Sequence, residues 1–213
     1  MSTSVLIIGE SGTGKSYSIR NLKPEETFII NVDGKSLPIK GWRSFYERKE
    51  GGNYIESDKV NYIQKVIKNI SDNRPHVKQV IVDDSQFIVG NQFMSQICSG
   101  TWDDYKKIGY SYFVLLESLK YMRDDLIIIV MSHSEEENGV IKCKTYGKAV
   151  DTHVLIESKF TYVLRTVVIN DEHFFQTKTE GKSRVKSPPH LFPERFIPND
   201  LQYVCEKIRE FES

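Results

Sequence analysis

The run Gly9-Glu10-Ser11-Gly12-Thr13-Gly14-Lys15-Ser16 limits the possible folds of this chain more than any other feature, because it fulfils G-x-x-x-x-G-K-[ST] at every position. Residues 4–9 (SVLIIG), just before it, are short, apolar and β-branched, the pattern of a buried strand. Residues 15–22, just after it, read as a helix that stops ahead of Pro24. A glycine-rich turn between a buried strand and a helix cradles phosphate. Its glycines let the backbone wrap so that successive N–H groups point inward, and the helix N-terminus adds partial positive charge. In that arrangement Gly9, Glu10, Ser11, Gly12, Thr13, Gly14, Lys15, Ser16 and the following Tyr17 contact the nucleotide. Lys15 reaches the β- and γ-phosphates and the Ser16 hydroxyl ligates Mg²⁺. At background residue frequencies a full match in a chain of this length is roughly a one per cent event, so the motif is specific.

Such a loop works with an acid at the end of a second buried strand, which holds the metal ion through water. Residues 80–84 (VIVDD) supply it: Asp83 is the expected metal ligand, and Asp84 is placed to orient or deprotonate the attacking water. Asp-Asp-Ser ahead of Phe87 reads equally well as a helix cap. Asp33 follows the apolar run 27–32 (TFIINV) and is a second candidate base, since neighbouring strands of a parallel sheet end on the same side; Asp33-Gly34 also reads as a turn. Residues 126–131 (LIIIVM) lead into Ser132-His133, which makes His133 either a γ-phosphate sensor or a surface histidine capping the acidic run 135–137. The other histidines (His76, His153, His173 and His190) form no ligand cluster by spacing. Cys98, Cys143 and Cys205 are odd in number and form no CxxC pair, which excludes a disulfide framework or zinc knuckle and points to a reducing compartment.

Periodicity organises the rest. Residues 34–53 carry four glycines and a proline and read as a long functional loop. Ile55, Val60, Ile63, Val66, Ile67 and Ile70 recur at helical spacing, and Trp102, Tyr105, Ile108, Tyr112, Leu115, Leu116, Leu119 and Met122 form a second helical stripe that is core or subunit interface. Strands alternating with helices predict an α/β fold with a mainly parallel sheet and helices on both faces. Residues 160–169 and 173–178 flank Asn170-Asp171-Glu172 and predict an antiparallel hairpin on the sheet edge, and 199–211 predicts an amphipathic helix. The chain is thus expected to be one domain: βα units over 1–155, the hairpin over 156–190, a C-terminal helix over 191–213. With no membrane-length apolar run and no basic, apolar leader, a cytoplasmic location is expected.

With these residues in hand, the chain resembles the small RecA-like ATPases of phages, whose best-known members are single-strand annealing recombinases of the fourth Sak type. The matching features run in order: the P-loop; Lys35-Ser36-Leu37-Pro38; Asp83-Asp84-Ser85-Gln86; Ser132-His133-Ser134-Glu135; Thr145-Tyr146-Gly147-Lys148; Lys186-Ser187-Pro188; and Ile197-Pro198-Asn199-Asp200-Leu201. The resemblance implies a RecA-like P-loop core that binds ATP and Mg²⁺, acts on single-stranded DNA, and assembles into rings or filaments in a bacterial host. It also implies that residues 133–151, with Lys142, Lys144 and Lys148, face DNA, and that a basic residue acts on the next protomer's nucleotide.

Charge is balanced at 29 basic against 29 acidic residues, which excludes a wholly basic nucleic-acid coat and leaves only local patches. Lys182, Arg184 and Lys186 share one face if their segment is extended, and such a row tracks a phosphate backbone as readily as it forms a solvated hairpin end. Trp42, Phe45 and Tyr46 in the long loop are candidate base-stacking residues or buried anchors. Two other readings compete with the recombination ATPase. One is an accessory factor such as a helicase loader or packaging factor; the other is a small-molecule kinase, which usually needs an arginine-rich lid that the sequence lacks.

Overall fold

Strands that carry apolar residues on both faces must be covered on both sides, and the sheet is built accordingly. In the computed structural model, which describes residues 1–145 and 155–213, the strands are β1 (Thr3–Gly9), β2 (Thr27–Asn31), β3 (Tyr54–Glu56), β4 (Gln79–Asp83), β5 (Ile127–Glu137), β6 (Val140–Cys143), β7 (Tyr162–Ile169), β8 (Glu172–Gln176) and β9 (Phe196–Pro198). The helices are α1 (Val60–Asn73), α2 (Gln86–Gln96), α3 (Trp102–Ser118) and α4 (Leu201–Glu212). The sheet order is β3-β2-β4-β5-β1-β7-β8-β9, with β6 paired to β5. From β3 through β7 the neighbours are parallel; β6, β8 and β9 add antiparallel pairs.

Period two divides the core into two layers. Leu6, Ile8, Val80, Val82, Ile128 and Val130 point to the face covered by α1, α2 and α3. Val5, Ile7, Ile29, Ile81, Ile127 and Ile129 point to the face covered by α4, the segment after the P-loop, and Leu37, Trp42 and Tyr46 of the long loop. Each fully buried aliphatic side chain contributes about 1.5–3 kcal/mol, so these layers carry most of the stability. No described helix is long and apolar enough to cross a membrane.

The structure departs from the sequence reading in five places. The segment after the P-loop is a short 3-10 helix, Ser16–Asn21, and not a helix over 15–22; Leu22 is already extended, and Pro24 follows too soon for an α-helix to propagate. Ile55 belongs to strand β3, and the helical pattern starts only at Val60. Helix α2 was not anticipated. The apolar run 126–131 continues as β5 to Glu137 and folds back through Asn138-Gly139, both at positive φ (53° and 77°), into β6. Residues 191–213 are more than a helix, since β9 precedes α4. The hairpin over β7 and β8 turns at Asn170 and Asp171 as expected, both in the left-handed region.

Candidate functional site

Parallel strands place their C-terminal ends side by side, and here the ends of β1, β2, β4 and β5 converge. Gly9 at the end of β1 is in register with His133 of β5, and Asn31 at the end of β2 with Asp83 of β4. Because β5 lies between β1 and β4, His133 stands between the phosphate loop and the acid pair. A cleft of about 370 Å³ opens over these ends. One wall is Ser11, Gly12, Gly14, Lys15, Ser16 and Tyr17; the other is Asn31 with Lys35-Ser36-Leu37-Pro38; Asp83, Asp84, His133 and His173 complete it. A larger hollow of about 690 Å³, around Pro24, Asn53, Arg74 and His76, lies at the opposite ends of the strands.

The loop holds its lysine in place. Lys15 is buried, and its Nζ donates to the carbonyls of Gly9 at 2.9 Å and Glu10 at 3.0 Å. Burial pulls its pKa below the usual lysine value, opposed by the charges of Asp84 and Asp83. Gly12 and Gly14 sit at φ +80° and +101°, a conformation that favours glycine. At Gly14 a side chain would also meet His173 and Asn199. The antiparallel edge supports the loop: Thr166 of β7 contacts the Thr13 hydroxyl at 2.5 Å, and His173 Nδ1 lies 3.0 Å from the Thr13 carbonyl. Tyr17 is partly exposed with Arg20 stacked 4.4 Å from its ring centre.

Asp83 is buried and its Oδ1 has no hydrogen-bond partner among the described residues. Burial, then the charge of Asp84, pushes its pKa up to about 6, while the Ser16 hydroxyl and Lys15 pull the other way. An orphaned carboxylate oxygen beside a serine hydroxyl suits Mg²⁺, which keeps several waters and takes further ligands from phosphates. Among the described residues no group of three His, Cys, Asp or Glu could hold a metal ion, so the protein's share of such a site is this hydroxyl and carboxylate. Asp84 is a non-glycine residue at φ +59°, held there by its neighbours. Its Oδ1 lies 3.4 Å from Gln86 Nε2 and 3.4 Å from His133 Nε2. The pKa of His133 is lowered by burial and by Lys15, against the pull of Asp84. The Gln86 side-chain oxygen accepts from the His133 backbone N–H at 3.1 Å.

Several candidates from the sequence lie elsewhere. Asp33 does not line the cleft; it pairs with Lys35 at 2.5 Å, and Lys35 occupies the wall instead. Lys142 pairs with Glu135 at 3.2 Å and Glu137 at 2.7 Å across the β5–β6 hairpin, so those acids oppose its use on phosphate. The Lys144 backbone N–H donates to the His133 carbonyl at 2.7 Å, and Lys148 lies outside the described residues. Lys182, Arg184 and Lys186 are exposed while Ser183 and Val185 between them are buried, which puts the three cations on one face. Arg184 also reaches buried Glu157 at 3.4 Å. This segment bonds to β6 through Ile141 and to β7 through Val163. Of the loop aromatics, Trp42 and Tyr46 are core anchors and Phe45 is exposed. In the stripe of α3, Trp102 is exposed, and Ile108, Tyr112, Leu115 and Leu116 are buried.

Sequence reasoning gave Lys35, Gln86, Thr166, His173 and Asn199 no place at the cleft or beside its loop. Lys35, Gln86 and Asn199 stood within quoted motifs without a role. Thr166 and His173 reach the loop only through strand pairing distant in sequence, which leaves no local signal. No protein-family model and no curated protein matches the chain.

Proposed function

We propose that the protein is a Mg²⁺-dependent ATPase with a RecA-like core that acts on single-stranded DNA in recombination or annealing. The observation that carries the reading is the meeting of Lys15 and Ser16 of a complete P-loop with buried Asp83 in one cleft. The sheet order supports it, because the loop strand lies in mid-sheet with one strand between it and the acid strand. ATP would bind with its phosphates on the loop amides and Lys15; Mg²⁺, held by Ser16 and through water by Asp83, would neutralise phosphate charge. Asp84, contacted by Gln86 and His133, would orient the attacking water. A link from the cleft to DNA would run along the fold: β5 leaves the cleft at His133 and forms the hairpin with β6, β6 bonds to the segment at Lys182 and Arg184, and Lys186 of the same exposed row bonds to β7.

The test is ATP turnover by wild type and Lys15→Ala, with and without single-stranded DNA, duplex DNA and nucleosides. The expected result is turnover stimulated by single-stranded DNA and lost in Lys15→Ala with an unchanged melting temperature. Turnover indifferent to DNA favours the accessory factor, stimulation by a nucleoside alone favours the kinase, and full turnover in Lys15→Ala removes the P-loop assignment.

A further inference from the structure

The cleft contains a second cation that the P-loop motif does not account for. Lys35 stands on the wall opposite Lys15, over the same acids: the charges of Asp83 and Asp84 reach it, and it in turn acts on Lys15. Its Nζ is 2.5 Å from Asp33 Oδ2 and 5.2 Å from the centre of the Phe87 ring, in the first turn of α2. The lysine therefore spans the mouth of the cleft from the end of β2 to the residues just after Asp84.

Resting on the P-loop reading above, we propose that Lys35 exchanges Asp33 for the terminal phosphate of a bound nucleoside triphosphate, so that cations from two walls grip the phosphate chain and Asp33 is released at the mouth. Three observations carry this. The Lys35 side chain is 70% exposed and Asp33 only 19%, so the lysine end of the pair is the one free to move. The lysine end of the pair reaches solvent, which weakens its hold on a single carboxylate, whereas an ammonium on a multiply charged phosphate forms a stronger, charge-assisted bond. Gly34 joins the two residues at φ +69° with open space where a side chain would be, and Asn31 braces the turn, its Oδ1 accepting from the Gly34 N–H at 2.9 Å and its Nδ2 donating to the Lys35 carbonyl at 2.6 Å, so the Lys35 side chain can swing while its backbone stays in place. Without the exchange, Lys35 would stay neutralised by Asp33, and Lys15 would meet the phosphates beside Asp83 and Asp84.

The test is equilibrium binding of ribose-labelled ATP and ADP, with Mg²⁺, to wild type, Lys35→Ala, Lys35→Arg, Asp33→Asn and Lys15→Ala. Lys35→Ala should lose about tenfold in affinity for ATP and under about twofold for ADP, while Lys35→Arg keeps the preference. Asp33→Asn should bind ATP a few-fold tighter, because the lysine then leaves no counter-charge behind. An ATP-to-ADP affinity ratio unchanged in Lys35→Ala, or weaker ATP binding by Asp33→Asn, overturns the exchange while nucleotide binding by wild type keeps the P-loop reading. If wild type binds neither nucleotide, both fall together. Melting curves confirm that each variant folds, and Lys35→Gln replaces Lys35→Ala if that one does not.

Discussion

Gly9 and Thr166 approach so closely that a Cβ on the glycine would stand 1.9 Å from the Thr166 hydroxyl and 2.8 Å from that of Thr13. The first glycine of the motif is therefore demanded by the neighbouring strand as well as by phosphate. Gly9→Ala should cost about 1–3 kcal/mol by overpacking. Thr166→Ala in the same chain should recover most of that loss, since it removes the nearest atom. Thermal melts of the two single variants and the double variant measure it; a Gly9→Ala melt equal to wild type would contradict the contact.

Asp83 trades stability for its position. Its folded pKa of about 6 lies above the ordinary 3.8, so the folded state holds the proton more tightly than the unfolded chain does. The stabilisation is complete below about pH 3.8, is lost as pH rises to about 6, and stays lost above that. Metal-free Asp83→Asn should therefore be more stable than wild type at pH 7.5, by on the order of 1–3 kcal/mol, while losing turnover. Denaturant titrations at pH 4 and 7.5 decide: the gain should shrink toward pH 4, and an Asn variant less stable at pH 7.5 speaks against a strained carboxylate.

Gln86 is buried and serves two partners, accepting from the His133 backbone and approaching Asp84. Gln86→Leu leaves a part-buried N–H without its acceptor, at about 1–3 kcal/mol. Because Gln86 does not line the cleft, KM for ATP should hold while kcat drops about tenfold through a misplaced Asp84. A raised KM with unchanged kcat would deny it the positioning role.

The exposed row offers a separable test of the DNA reading. Lys182→Ala and Lys186→Ala should each lower the slope of log affinity against log salt for single-stranded DNA by about 0.7, without altering nucleotide binding. Salt titrations of binding to an oligonucleotide give the slope, and two unchanged slopes would place DNA elsewhere on the surface.

Much of this was legible in the residues because it is local. The buried strands announce themselves as short apolar runs, the phosphate loop as a complete motif, and Asp83 as an acid closing such a run. The β5–β6 hairpin was not read from the sequence, although Asn138-Gly139 is a strong turn signal, because the acidic residues around it masked the strands. Helix α2 was not legible: its apolar residues serve a shared core and show little helical periodicity of their own. The cleft's far wall came from Lys35 to Pro38, where a loop turns back over β2, and its support came from Thr166 and His173, brought in by pairing across more than 150 positions.

The main sheet finishes at both rims in a rung of three residues, β3 on one side and β9 on the other, and β9 ends in Pro198, which has no N–H to offer. An incoming strand finds almost nothing to zip onto at either margin. At these two margins, edge-to-edge stacking of copies of this molecule is disfavoured by the short strands themselves, one of them ending in proline.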